Sequence, residues 1–136
     1  MKIVLMADNR KTELLVNFCI AYKTLLTKHQ LISVYSTAKY LKSAVGIEVS
    51  GLNVDYLGGI EQLASRAEFD EIDCVIYLRD AAAEVEAESA PSDLLKTCDS
   101  NNIPYATNLA TAEILILAVD RGDLDYRIWL KDTKVS

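Results

Sequence analysis

Apolar runs alternate with helical patterns along the whole chain. The segments 3–6, 31–35 and 73–78, which are apolar except at Ser33 and Asp73, predict buried strands, and the last is typical of the middle of a parallel sheet. Between the first two, apolar side chains recur with a period of 3.6 residues over 11–28, which predicts one amphipathic helix. Strands alternating with helices predict an α/β fold, a three-layer αβα sandwich with a mostly parallel central sheet.

The remaining predicted elements are short. They are helices at 37–44, 92–101 and 111–121, strands within 49–56 and 104–106, and a loop at 79–91. Gly58 and Gly59 predict a tight turn from the third strand into a helix that ends near Arg66, and Gly122 predicts the end of the last helix. We expect one domain over residues 1–130, followed by a tail at 131–136.

The charge of the chain restricts its partners. With a net charge of −6 and no Lys/Arg cluster, the sequence argues against binding to nucleic acid or to an anionic membrane. No apolar run reaches the length of a membrane span.

Cys19, Cys74 and Cys98 lie inside apolar patterns, so we expect reduced core thiols and a cytoplasmic protein.

The sequence lacks the residues that several common kinds of binding and catalytic site require. The chain has one histidine, His29, which we expect to cap the end of the first long helix. A single histidine and widely spaced cysteines do not predict a metal site. Phosphate-binding P-loops, dinucleotide fingerprints and serine nucleophile elbows are also absent from the sequence. We therefore expect no metal, no cofactor, and a small-molecule ligand of unknown identity.

Five short motifs stand out over residues 2–129. They are Lys2-Ile3-x-Leu5-x-Ala7, Leu57-Gly58-Gly59, Leu78-Arg79-Asp80, Ile103-Pro104-x-Ala106-Thr107-Asn108 and Gly122-x-x-Asp125-Tyr126-Arg127. Together they resemble the methylglyoxal synthase family. The resemblance implies a homohexamer. It also implies a reaction in which a proton is removed from dihydroxyacetone phosphate and phosphate is expelled from the enediol. That chemistry needs a carboxylate base, a group that polarises oxygen, and a phosphate cradle.

The resemblance also implies that the acid–base positions are substituted. The family's base corresponds to Ile60, and its His-Asp pair after the first strand corresponds to Asp8 and Asn9. The following lysine position is Thr12. A later His and Asp correspond to alanines, within a stretch from Asp80 to Asp93 that holds five carboxylates and no cation.

The phosphate cradle is altered as well. Where the family has a Gly-rich loop after the second strand, this chain has Tyr35 followed by Ser36 and Thr37. A bulky side chain obstructs the close approach that glycine allows. Asp55 places negative charge where phosphate should lie.

Candidate site residues follow from the motifs and their substitutions. Asp80 is the retained acid, and Asp8 and Asp55 are possible substitutes for the missing base. The ligand-binding candidates are Arg10, Lys11, Ser36, Thr37, Gly58, Gly59, Arg79, Thr107 and Asn108. Structural roles compete with these assignments: Asn9, and Ser36 with Thr37, are candidate N-caps. Asp80 is equally a candidate acceptor for loop N–H groups or a partner of Arg79.

Three functional hypotheses stay open. The first, which the substitutions favour, is a catalytically inactive member of the family that acts as a ligand-binding or regulatory scaffold. The second is an active synthase with relocated carboxylates, either Asp8 or Asp55. The third is an effector-binding module, because the resemblance extends to the regulatory domain of the large subunit of carbamoyl phosphate synthetase. A carboxylate-rich cleft would then suit a cationic or amine-bearing ligand.

Overall fold

The computed structural model of the chain describes residues 1–52, 56–82 and 89–134. It describes the side chains of all these residues except 56–57, 89–91 and 131–134. Its five strands are β1 (Lys2–Ala7), β2 (Gln30–Val34), β3 (Ser50–Leu52), β4 (Cys74–Leu78) and β5 (Tyr105–Ala106). Its helices are α1 (Thr12–Ala21), α2 (Lys23–Leu26), α3 (Tyr35–Val45), α4 (Tyr56–Glu68), α5 (Ser89–Ser100), α6 (Leu109–Asp120) and α7 (Tyr126–Lys134), with a 3₁₀ turn at Asn9–Lys11.

The strands form one parallel sheet in the order β3-β2-β1-β4-β5. Ile3 pairs in register with Leu31 on one side and with Cys74 on the other, so β1 is central. Both faces of β1 and β4 are buried, which explains why these strands are unbroken apolar runs. The predicted fold class, a mostly parallel sheet between helices, is confirmed.

Two apolar cores lie on opposite faces of the sheet. One contains side chains of α1, α2, α3 and α6, and the other contains side chains of α4 and α5. The predicted apolar periodicity of the first helix is confirmed, because Leu15, Phe18, Cys19 and Leu26 are buried. The predicted single helix is wrong in one respect: it is interrupted at Tyr22, where φ is −110° and ψ is 22°.

Several predicted helix boundaries differ from the structure, among them that of α5, which begins at Ser89, inside the loop predicted at 79–91. α3 begins at Tyr35, directly after β2, rather than at residue 37. α6 begins at Leu109 rather than at residue 111, because Asn108 is its N-cap. The helix that Gly122 ends is not the last one as predicted, because α7 follows it over Tyr126–Lys134.

Gly122 ends α6 as predicted. Its φ is +82°, and its N–H donates to Val119 while the N–H of Asp123 donates to Ala118. These two bonds form a Schellman motif, which satisfies carbonyls that the end of the helix would otherwise leave unpaired.

No helix in the described ranges is long and apolar enough to cross a membrane.

Candidate active site

Polar side chains meet where β1 and β4 end. The chain leaves β1 toward β2 and β3 on one side, whereas β4 and β5 lie on the other, so the strand order reverses between β1 and β4. In open parallel sheets, ligands bind beyond the carboxyl ends of the strands at such a reversal. Here this position is occupied by Asp8, Arg10, Tyr77 and Asp80, which we call the switch-point cluster.

Asp8 is held firmly in this cluster. It follows β1 directly, and its N–H donates to the carbonyl of Leu78 at 3.0 Å. Its carboxylate accepts two hydrogen bonds, from Tyr77 Oη to Oδ1 at 2.9 Å and from the N–H of Asp80 to Oδ2 at 2.7 Å. Since the two donors bind different oxygens, the orientation of the carboxylate is fixed from β4.

Asp80 lies beside Asp8 and is more deeply buried. Its Oδ1 accepts from the N–H of Ala82 at 3.0 Å, so the predicted role as an acceptor for loop N–H groups is confirmed. Its Oδ2 lies 3.6 Å from Arg10 Nε, and the side chain of Arg10 is 77% exposed. A nearby cation offsets the repulsion between the two carboxylates. The cluster thus combines a fixed proton acceptor with a cation that can reach into solvent.

The residues after Asp8 form a 3₁₀ turn instead of an ordinary helix start. The carbonyl of Asp8 accepts from the N–H of Lys11 at 2.7 Å, so the turn begins at Asn9 and is preceded by Asp8. The predicted capping role of Asn9 is therefore wrong. Lys11 is half-buried, and Thr12 begins α1.

Ser36 and Thr37 lie in the first turn of α3, at the same edge of the sheet. The residue that caps α3 is Val34, and no side chain bonds its first N–H groups at the cap. The predicted capping roles of Ser36 and Thr37 are therefore wrong, because β2 leads into α3 without a connecting residue. Both residues stay candidates for ligand binding, near a helix end that favours anions.

Gly58 and Gly59 lie inside α4, not in a turn before it. The predicted strand-to-helix turn is thus wrong at these two positions. Ile60, the position that the resemblance gives to the base, is 1% exposed and packs in the core of the α4 face. Asp55, one of the possible substitute bases, lies outside the described residues, as do the acidic positions 84, 86 and 88.

The Thr107–Asn108 segment follows β5 at the same edge. Asn108 Oδ1 accepts from both the N–H and the hydroxyl of Thr111, at 3.0 and 3.2 Å, so this oxygen caps α6. The carbonyl of Thr107 accepts from the N–H of Arg79 at 3.0 Å. These contacts hold the segment after β5 beside the segment after β4. Arg79 itself is half-buried.

Tyr77 is the member of the cluster that the sequence analysis missed. It is fully buried within an otherwise aliphatic strand, and its hydroxyl reaches Asp8. A buried tyrosine hydroxyl needs a hydrogen-bond partner. A tyrosine in a strand that is buried on both faces is the signal that could have revealed this contact.

His29 and the cysteines lie away from the cluster. His29 follows α2, and its backbone N–H donates to the carbonyl of Leu26 at 3.0 Å. Its ring does not make the predicted cap, because its Nδ1 lies 3.2 Å from the N-terminal ammonium. Burial lowers the pKa of His29, and the N-terminal charge lowers it further. All three cysteines are buried free thiols, as predicted, and burial raises the pKa values of Cys19 and Cys74 to about 12 and of Cys98 to about 11. They are therefore poor nucleophiles.

Comparison with known proteins identifies relatives of the whole chain. A methylglyoxal synthase from Caldicellulosiruptor saccharolyticus is 46% identical over 127 residues, covering 93% of this chain and 90% of the relative. One from Alkaliphilus metalliredigens is 38% identical over 132 residues, covering 97% and 98%. The crystal structure of a methylglyoxal synthase from Elizabethkingia anophelis is similar with a TM-score of 0.74 at 30% identity, covering 85% of this chain and 76% of that one. No family model matches the chain.

Proposed function

The chain belongs to the methylglyoxal synthase family, and on that premise we propose that it catalyses a synthase-type reaction with Asp8 as the base. The substrate is dihydroxyacetone phosphate, which yields methylglyoxal and inorganic phosphate. The switch-point cluster carries this proposal, because it places a fixed carboxylate and a cation where ligands bind in such sheets.

Asp8 removes the proton in this scheme. The carboxylate takes a proton from the carbon next to the carbonyl, and the C–H electron pair forms the C=C bond of an enediolate. Tyr77 and the N–H of Asp80 orient the carboxylate from one side, so it needs little reorganisation to react. The C–O bond to phosphate then breaks with its electron pair leaving on phosphate, and the resulting enol becomes methylglyoxal.

Arg10 stabilises negative charge in the same scheme. Its guanidinium is mostly exposed and contacts Asp80 at a long 3.6 Å, so it can swing toward a substrate oxygen. Preorganised cations at developing oxyanions are among the largest contributions to catalysis. The first turns of α3 and α4, with Ser36 and Thr37, supply further donors at this edge for the phosphate group.

Methylglyoxal formation tests this proposal. The wild-type chain should release methylglyoxal from dihydroxyacetone phosphate, and Asp8→Asn should lower the rate ~10²–10⁴-fold because the general base is lost. Asp120→Asn, at the C-terminal end of α6, is a matched control and should keep the wild-type rate. Equal rates in wild type and Asp8→Asn would contradict the role of Asp8.

A second candidate function is a non-catalytic ligand-binding scaffold. One observation favours it: Ile60 is packed in the core, so the position that the resemblance gives to the base offers no proton acceptor. This hypothesis predicts no product at any protein concentration. It also predicts that an amine or amino acid raises the melting temperature, since a ligand at 100 times its Kd stabilises the native state by about 2.7 kcal/mol.

The same family membership supports assembly of this chain with itself, and we propose a homo-oligomer, by resemblance a hexamer. Large apolar side chains are exposed on α6 and α7, among them Ile114 at 68% and Trp129 at 74%. Exposed apolar area of this kind marks interaction surfaces. Sedimentation at several protein concentrations tests the assembly.

We also propose a cytoplasmic location, which the three buried reduced thiols support.

A further inference from the structure

A recess lies at the amino ends of the strands, opposite the switch-point cluster. It has a volume of about 620 Å³ and lies along the starts of β1, β2 and β3. We call it the amino-edge recess and define it by Lys2, Gln30, Lys42, Glu48, Ser50 and Arg66. Its size falls within the ~300–1,000 Å³ of small-molecule sites.

The recess is basic although the chain is acidic. Lys2, Lys42 and Arg66 come from β1, α3 and α4, so three separate elements direct cations to one place. The one carboxylate among the defining residues is Glu48, which is 90% exposed and pairs with Lys42 at 3.3 Å. Among the described residues, neither Lys2 Nζ nor the Arg66 guanidinium has a carboxylate partner. In a chain with 20 acidic residues, two such cations lining one recess leave local positive charge uncompensated.

The sheet edge adds backbone donors to these cations. In the described part of the chain, β3 lies at the end of the sheet and pairs with β2 on one side only. The N–H groups on the outer side of an edge strand are not used by the sheet. Ser50 and Gly51 of this strand line the recess, so the backbone of the sheet edge borders the same space as the cations. Donors and cations together are the usual ligands of phosphate groups.

We propose that the amino-edge recess binds a small phosphate-bearing anion. The site is separate from the switch-point cluster, since it lies at the opposite ends of the same strands, and it does not depend on the proposed catalytic activity. Both free inorganic phosphate and an organic phosphate carry this chemistry. The volume of the recess exceeds what a single phosphate ion fills, which favours an organic phosphate.

Calorimetric titration with inorganic phosphate and with AMP tests the proposal on the full chain. At least one probe should bind, and Lys2→Gln/Arg66→Gln should weaken binding by roughly tenfold or more. Lys96→Gln/Arg121→Gln removes the same two charges elsewhere and should leave the Kd unchanged. Binding should also weaken as salt is added, because the site is open to solvent. Tighter binding of AMP would indicate an organic phosphate, and binding of phosphate alone would indicate the free ion.

Two outcomes would overturn the proposal. The first is the absence of binding of either probe at millimolar concentration. The second is probe binding that Lys2→Gln/Arg66→Gln leaves intact. If Arg10→Gln then abolishes this binding, the probe binds at the switch-point cluster. The single variant Lys2→Gln provides the same comparison if the double variant melts at a lower temperature, because the side chain of Lys2 is exposed and only its backbone bonds Asp73.

Discussion

Two arginine–carboxylate clusters lie at opposite ends of the strands. At the carboxyl ends, Arg10 contacts Asp80 at 3.6 Å with its side chain 77% exposed. At the amino ends, Arg127 is 6% exposed and donates to Asp70 at 2.7 Å. Arg127 also donates to the carbonyls of Asn102 and Ile72, and its Nε lies 3.6 Å from Asp73.

The difference separates a structural arginine from one that is available to a ligand. Arg127 joins the start of α7 to the segments that precede β4 and β5, and several acceptors bind its two terminal nitrogens. Among the described residues, Arg10 makes one long contact, and it keeps most of its surface in water. The number of bonds and the burial of the cation distinguish the two clusters, although both contain the same residue types.

The largest effect is expected at Arg127. Arg127→Met should lower the free energy of unfolding by ~3–5 kcal/mol, because it removes a buried cation from beside the carboxylates of Asp70 and Asp73. Urea unfolding followed by circular dichroism measures the loss. A loss below about 1 kcal/mol would mean that Arg127 is as peripheral to the fold as Arg10.

Ile60 provides the next test, because it separates a core position from a site position. Ile60→Ala should cost ~2–5 kcal/mol, as expected for a fully buried side chain. Ile60→Asp should be no more stable than the alanine variant, since it buries a charge in the same core. Stability close to wild type in the aspartate variant would show that position 60 opens into the crevice.

Substitution of Arg10 should affect the reaction rate much more than the stability of the fold. Arg10→Gln should change the free energy of unfolding by less than ~1 kcal/mol, because the ion pair is largely exposed. It should lower the rate of methylglyoxal formation ~10²–10³-fold, since a cation at the developing oxyanion is lost. Lys96→Gln is the matched control and should change neither quantity. A large stability loss with an unchanged rate would reverse the assignment of the two arginines.

The smallest effect is expected at His29, near the amino ends. Burial and the N-terminal ammonium lower the pKa of His29 below its ordinary value of 6.5. The unfolded chain therefore binds more protons than the folded chain just below this pH. The contribution of His29 to the free energy of unfolding is complete above pH 6.5 and is lost as the pH falls toward the pKa of the folded state. Melting temperatures between pH 5.5 and 7.5 should rise with pH in wild type and rise less in His29→Gln. Equal slopes would contradict the lowered pKa.

Much of the fold could be predicted from apolar patterns. β1, β2 and β4 are buried strands of a parallel sheet, so their mostly apolar segments locate them to within a residue. The interruption at Tyr22 could not be predicted in this way, because the apolar period continues through it into Leu25 and Leu26. Gly58 and Gly59 were misplaced because glycine favours turns. The packing of Ile60 and Leu63 on the sheet outweighs the cost of two glycines in the first turns of α4.

The candidate site could be predicted only in part. Asp8 and Asp80 follow predicted strands, so their convergence at one edge of the sheet was foreseeable. Arg10 as a partner of Asp80 was not foreseen, since the sequence suggested Arg79, the adjacent residue. The contact from Tyr77 to Asp8 joins residues 69 positions apart, and only the register of β1 against β4 brings them together.

The central claim is that the switch-point cluster of this chain turns over dihydroxyacetone phosphate. Proton and phosphorus NMR of one sample in D₂O measures loss of substrate, methylglyoxal and inorganic phosphate together. Our account predicts methylglyoxal and phosphate in equal amounts with the wild-type chain, and neither above background with Asp8→Asn. Unchanged substrate with the folded wild-type chain would contradict the account and leave the non-catalytic scaffold as the function of this protein.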